Sequence, residues 1–160
     1  MQEIDDALGG RVDYVYCATS TCGTLSGCAA YVNQHDRNTE MIAVDAEGSV
    51  IFGGNPQKRL VPGHGSSIPS ALYREGMANQ VVHVSDTECV AGCRLLLEKE
   101  AIFSGGSSGA VVSAVSKTIK TIPRGSNVVM ILADRGERYL ETIYDPHWVS
   151  LNLGEVPSII

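Results

Sequence analysis

Long apolar runs are missing from this chain. In its 160 residues no stretch approaches the roughly 20 consecutive apolar residues of a membrane-spanning helix. Basic clusters are missing too. Twelve Lys and Arg stand against eighteen Asp and Glu, for a formal net charge of −6. Nucleic acid is held through its phosphates by grouped Lys and Arg, so it is not expected as a partner. The five cysteines form no Cys-x-x-Cys pair, and no histidine stands at a zinc-finger spacing, so no metal site is expected. The opening Met-Gln-Glu-Ile-Asp-Asp lacks the basic-then-apolar order of a secretory signal. No repeat, low-complexity tract or linker interrupts the chain. These absences leave a cytoplasmic, globular protein as the expectation.

What is present supports a packed domain. Apolar residues make up 44% and charged residues 19% of the chain, a globular balance at a length that suits one core. Residues 3–8 read as a helix end stopped by Gly9-Gly10. Strand patterns follow at 12–18, 41–46, 81–84 and 127–133. Between them lie helical patterns with Leu25, Cys28, Ala29 and Val32 on one core face, and Val90, Cys93 and Leu97 on another. Ser85-Asp-Thr-Glu88 fits a capping box. A long helix after residue 105 places Val111, Ala114, Val115, Ile119 and Ile122 on one face, and Pro123 stops it. Residues 47–80 are irregular, with a short helix expected near 69–75. Another is expected near 137–144. Apolar strands alternating with amphipathic helices imply an α/β fold, a three-layer parallel sheet with helices on both faces. Ligands of such sheets bind beyond the strand C-terminal ends.

Two hydroxyl-rich turns begin there. Ser20-Thr21-Cys22-Gly23-Thr24 lies between a strand pattern and a helix, and Gly105-Gly106-Ser107-Ser108-Gly109 opens the later helix. Each feeds a helix N-terminus, where free N–H groups and the positive end of the dipole favour an anion. The first turn lacks the Lys of a Walker-type loop. Taken singly, each turn is equally well a plain helix cap. Cys22 stands where a helix N-terminus is expected to lower its pKa, while the other thiols read as small core residues.

Taken together, the order and separation of the two turns resemble the pyridoxal-phosphate enzymes of fold type II, the cysteine synthase family, whose larger domain is tryptophan synthase β-like. Ile42–Phe52, Pro62–Ser66 and Leu132–Leu140 are similar to further stretches of that family. The resemblance implies pyridoxal 5'-phosphate as cofactor. It implies that Ser20, Thr21, Cys22, Gly23 and Thr24 cup its phosphate, and that the Ser107 hydroxyl meets its pyridine nitrogen. A neutral hydroxyl partner is expected to leave that nitrogen unprotonated. Ser20 and Cys22 stand where ordinary cysteine synthases carry glycine. The family's Schiff-base lysine and its loop for the substrate carboxylate have no counterpart here. Lys58, Lys99, Lys117 and Lys120 sit in no matching motif, so no catalytic residue is expected within the chain. The expectation is a single domain over 1–160 that forms the C-terminal part of a longer homodimeric enzyme. That enzyme carries out β-replacement on small amino acids. The alternative is a non-catalytic binding module. His64, between two glycines, has two readings: an acid/base group near neutral pH, or a loop histidine without a role. Asp134-Arg135 has two readings, a structural ion pair, which is favoured, or a pair that positions an acidic substrate; Trp148 is read as a packing anchor.

Overall fold

The computed structural model describes residues 1–159. Four strands, β1 (Tyr14–Ala18), β2 (Glu40–Ala46), β3 (Gln80–Val84) and β4 (Val128–Met130), form one parallel sheet in the order β3-β2-β1-β4. Helices α1 (Gln2–Ala7) and α2 (Gly23–Gln34) lie on one face. Helices α3 (Asp86–Glu100), α4 (Gly106–Thr118) and α5 (Pro146–Asn152) belong to the other.

The two faces follow from the alternation of side chains along each strand. Val15, Cys17, Met41 and Ala43 point to α2 and pack with Leu25, Cys28, Ala29 and Val32. Tyr16, Ile42, Val44, Val82 and Val84 point the other way, to Val90, Cys93, Val111 and Ala114. Both faces being covered, the strands read as continuous apolar runs. All five cysteines are free and buried. The capping box forms as expected: Ser85 N–H donates to Glu88 Oε2 at 2.8 Å, and Glu88 N–H to Ser85 Oγ at 3.4 Å.

Helices α3 and α4 touch backbone to backbone. A Cβ on Gly92 would collide with the Gly109 carbonyl, and a Cβ on Gly109 with the Cys89 carbonyl. Both glycines are needed for space, since neither adopts a positive φ. Residues Gly106 to Ala114 of α4 are all buried in consequence.

Five expectations are corrected. Leu97, expected on the core face of α3, is exposed, and Leu96 takes the buried position instead. No helix forms over 69–75: the Ser66 and Ser70 hydroxyls take the N–H groups of Ile68 and Leu72 at 3.2 Å each, which diverts them from a helical ladder. Helix α4 ends at Thr118 and continues as a 3-10 turn over Ile119–Thr121, leaving Ile119 exposed rather than on the core face. Strand β4 spans only three residues, with Ile131 N–H still donating to Tyr16 O at 3.0 Å just past its end. Residues 137–144 hold only a 3-10 turn, Gly136–Tyr139, and the regular helix is α5, started by the Asp145 side chain on His147 N–H at 2.9 Å with Pro146 in the first turn. Trp148 packs against the core from α5.

Crowding at the α3–α4 contact makes a clear test. Replacing Gly109 with alanine overpacks a backbone contact and is expected to lower stability by about 1–3 kcal/mol. Gly27→Ala, on the open face of α2 with nothing within 4 Å, is expected to raise it by up to about 1 kcal/mol. Urea unfolding midpoints measure both.

Candidate functional site

The strand order creates a crevice. From β1 the chain crosses through α2 to β2 on one side, whereas β4 returns through α4 to the other side of β1. The connections beyond the C-terminal ends of β1 and β4 therefore diverge, which is where an open α/β sheet binds ligands. A cavity of about 180 Å³ lies there, lined by Cys17, Ala18, Ser20 to Thr24, Gly63, Ile131 and Ala133.

Its lining carries no charged side chain. Its polarity comes from hydroxyls and from the start of α2. No side chain caps that helix, and its first internal bond runs from Ser26 N–H to Cys22 O at 2.9 Å. The N–H groups of the first turn are thus left without intrahelical acceptors at the positive end of the dipole. Cys22, the residue before α2, is left-handed at φ 64°. That conformation costs a residue with a Cβ about 1–2 kcal/mol and curls the preceding amides into an anion-binding concavity. Cys22 is buried, and burial pushes its thiol up, with only partial opposition from Ser70. The shift runs opposite to the expected helix-terminus lowering, with desolvation of the buried sulfur its leading cause.

The irregular segment 47–79 folds down onto this cup at defined points. Ser70 Oγ donates to Thr21 O at 2.6 Å and Gly65 N–H to Thr19 O at 2.6 Å. Ser49 Oγ accepts from Ser66 N–H at 3.0 Å. At the segment's centre, Asp86 at the start of α3 accepts from Leu60 N–H at 2.6 Å and Val61 N–H at 3.3 Å. These bonds hold the turn at Gly63, which runs at φ 98°, so that a Cβ placed there would lie 3.4 Å from Ser107 Cβ.

Gly63 is the link between the two turns that the sequence singled out. The first turn's Ser20, Thr21, Cys22, Gly23 and Thr24 all line the cavity. Ser107 does not line it; it lies behind Gly63, in the first turn of α4. Both turns stand on the same rim. Ser107 Oγ is 3.5 Å from Asp134 Oδ1, and Asp134 Oδ2 accepts from Tyr139 OH at 2.6 Å. Asp134 therefore does not form the expected ion pair: Arg135 turns to Glu137 on the surface. Nothing in the sequence linked Asp134 to Ser107, assigned Asp86 a part in holding the turn at Gly63, or placed Tyr139, Ile131 and Ala133 at the site. Their shared signal, position just past an apolar strand or at a helix start, becomes informative only once the strand order is known.

His64 faces inward, not into the cavity. Its Nε2 is 3.5 Å from Cys89 Sγ, its carbonyl accepts from Arg59 at 3.3 Å, and its Nδ1 has no partner among the described residues. Burial pulls its pKa down to about 4, with Asp86 opposing and Arg59 assisting. It is neutral at physiological pH and is no acid/base group there. None of the four lysines lines the cavity: Lys99 pairs with Glu98, and Lys117 with Glu88 and the His83 carbonyl.

The depressed His64 pKa ties stability to pH. A neutral buried imidazole contributes stability that is present above 6.5 and lost as pH falls through about 4. Unfolding free energy is expected to drop by up to about 3 kcal/mol across that window, and His64→Gln to remove that step. Urea midpoints measured through the window check it.

No helix is long and apolar enough to cross a membrane among the described residues, and no group of His, Cys, Asp and Glu there could hold a metal ion. Residues 1–134 match the family described as pyridoxal-phosphate dependent enzyme. The fold is similar to that of an O-acetylserine dependent cystathionine beta-synthase from Helicobacter pylori, at 30% identity and TM-score 0.83 over 90% of this chain and 47% of that one. It is also similar to O-acetyl serine sulfhydrylase isoform 3 from Entamoeba histolytica, at 26% identity and TM-score 0.83 over 89% and 44% of the two chains. An O-ureido-L-serine synthase shares the fold alone, at 24% identity and TM-score 0.83, over 91% and 47%. The chain spans about half the length of these solved structures.

Proposed function

Because the chain belongs to the pyridoxal-phosphate dependent enzymes, we propose that it supplies the cofactor-holding part of an enzyme that replaces a substituent on the β-carbon of an amino acid. The observation that carries this reading is the single rim where the Ser20–Thr24 cup and the mouth of α4 meet through Gly63. The residues fit the cofactor. An uncapped helix start, three hydroxyls and a left-handed Cys22 form a concavity for a phosphate dianion, with no acidic side chain lining it to repel one. Gly63, at φ 98°, brings the main chain beside Ser107, where a Cβ would lie 3.4 Å from Ser107 Cβ.

Bound pyridoxal 5'-phosphate supplies an electron-withdrawing ring that acidifies the substrate α-carbon and eases departure of a β-substituent. This chain's own part is positional. Ser20, Thr21, Thr24 and the α2 amides hold the phosphate, Gly23 lets the backbone approach it, and Ser107 faces the ring nitrogen. The lysine that anchors the cofactor covalently is not among Lys58, Lys99, Lys117 and Lys120. In this reading the chain is the C-terminal part of a longer, cytoplasmic, homodimeric enzyme.

For substrates, we favour O-phospho-L-serine and L-glutamate, joined as N-(2-amino-2-carboxyethyl)-L-glutamate for siderophore biosynthesis. The runs Val44-Asp-Ala-Glu-Gly-Ser-Val-Ile-Phe-Gly53 and Asp134-Arg-Gly-Glu-Arg-Tyr-Leu140 support it, being similar to that synthase of staphyloferrin B biosynthesis. A cysteine synthase using sulfide is the second reading, favoured by the O-acetylserine chemistry in the names of two similar structures. The absence of a lysine from the cavity lining favours the third, a binding module without catalysis.

Titration of the chain with pyridoxal 5'-phosphate, followed by absorbance, is expected to show reversible binding. Thr24→Val is expected to weaken it roughly 10- to 100-fold, the worth of one hydrogen bond to a charged group. Unchanged affinity in that variant would place the phosphate elsewhere. The active enzyme, given O-phospho-L-serine with glutamate or with sulfide, is expected to yield the glutamate adduct by mass spectrometry; product with sulfide alone overturns the first substrate choice.

A further inference from the structure

Cys22 holds a backbone conformation that cysteine does not favour by itself. Its φ of 64° and ψ of 13° place it in the left-handed region, where a Cβ crowds the following carbonyl. Asparagine and aspartate settle there by bonding their own main chain. Cys22 has only a thiol for that purpose, 4.0 Å from Ser20 O. Such a residue persists where its surroundings hold the main chain on both sides. On the C-terminal side, Ser26 N–H donates to Cys22 O at 2.9 Å. On the N-terminal side, the Thr21 carbonyl takes the Ser70 hydroxyl at 2.6 Å, across 49 residues of sequence.

The bond from Ser70 acts on the strained angle directly. Thr21 C=O and Cys22 N–H belong to one planar trans peptide and point in opposite directions. Turning that peptide over changes the φ of Cys22, and a carbonyl pinned at Ser70 resists the turn. We propose that Ser70 is a positioning residue of the cup: by holding the Thr21 carbonyl it keeps Cys22 left-handed, and so keeps the amides around Cys22 converged on one phosphate. This rests on the cofactor reading above, which names the phosphate.

Ser70 is aimed at Thr21 by its own turn. A hydroxyl has one proton to give and lone pairs with which to receive. Leu72 N–H donates to Ser70 Oγ at 3.2 Å, which leaves the hydroxyl proton for Thr21 O. Tyr73 N–H reaches Ser70 O at 3.4 Å, and Arg74 Nη1 donates to Ala71 O and Tyr73 O at 2.7 Å each. Tyr73 in turn meets Phe52 edge to face, with ring centroids 4.9 Å apart. The same turn lies over the start of α2, where a Cβ on Gly23 would stand 3.8 Å from Leu72 Cδ1. The latch answers a need that comes from one side chain. Glycine in place of Cys22 would adopt the left-handed φ without steric penalty, and the cup would then hold its shape without Ser70.

A double substitution isolates the latch. The whole chain is titrated with pyridoxal 5'-phosphate, followed by absorbance. Ser70→Ala is expected to bind roughly 5- to 30-fold more weakly than wild type, the penalty of a left-handed residue expressed as an equilibrium. Ser70→Thr, which keeps the hydroxyl, is expected to restore most of the affinity. In a Cys22→Gly background, Ser70→Ala is expected to change the affinity hardly at all. Equal weakening in both backgrounds marks a serine that only supports the fold, and overturns the latch. Should Ser70→Ala not fold, its rescue by Cys22→Gly supports the latch and lack of rescue overturns it. A second readout uses no ligand: labelling by N-ethylmaleimide, mapped to each cysteine by mass spectrometry. Ser70→Ala is expected to open Cys22 to the reagent while Cys17, Cys28, Cys89 and Cys93 stay protected. Unchanged labelling of Cys22, or equal labelling of all five, overturns the latch. Failure of wild type to bind the cofactor overturns the site reading, and the labelling then still decides the latch.

Discussion

The rim of this molecule depends on how closely α3 and α4 approach. Two glycines, Gly92 and Gly109, let the helices meet through main-chain atoms. A side chain at either would push α4 outward by ångströms, since both obstacles are carbonyls and cannot rotate aside. The same helix carries Gly105 against Asp134 and Gly106 against Val61. Its first turn is therefore bounded by α3, by the strand-end loop after β4, and by the irregular segment after β2. Ser107 inherits its position from all three.

A second constraint acts on the irregular segment. Thirty-odd residues without regular structure have no ladder to satisfy their amides, so side chains take over. Asp86, Ser49, Ser66 and Ser70 accept or donate at fixed points, and the Thr19 carbonyl receives Gly65 N–H. Asp86 thereby does two jobs: it lies in the first turn of α3, where a negative charge suits the dipole, and it pins the strand of chain leading to Gly63. The cost of the arrangement is a set of buried polar atoms without partners among the described residues, Asp45 Oδ2 and His64 Nδ1 included. Burial keeps the second of these neutral. A group held neutral behind the glycine turn shapes the site and takes no proton from it.

Legibility of the sequence varied with the range of the interaction. The parallel α/β fold was readable from apolar strand patterns, and the capping box of α3 from Ser85 and Glu88, because both depend on neighbours within a few residues. The short helix expected near 69–75 failed for an equally local reason that composition conceals: serine hydroxyls compete for the same amides. Helix α5 was missed although Asp145-Pro146 announces it. Cys22 misled, since its sulfur is buried by the fold, and desolvation pushes the thiol up against the partial opposition of Ser70.

Residue order alone determined that two hydroxyl-rich turns end apolar strands or open helices, that no lysine stands in a cofactor-anchoring motif, and that the layers are strand and helix in alternation. These are properties of single segments and their periodicity. Only the tertiary structure decided that the turns share one rim, that Gly63 joins them, that His64 turns inward, and that Asp134 takes the Tyr139 hydroxyl rather than Arg135. Each of those depends on the order β3-β2-β1-β4 and on backbone contact between α3 and α4, relations between segments far apart in the chain, which the chemistry of any one segment does not encode.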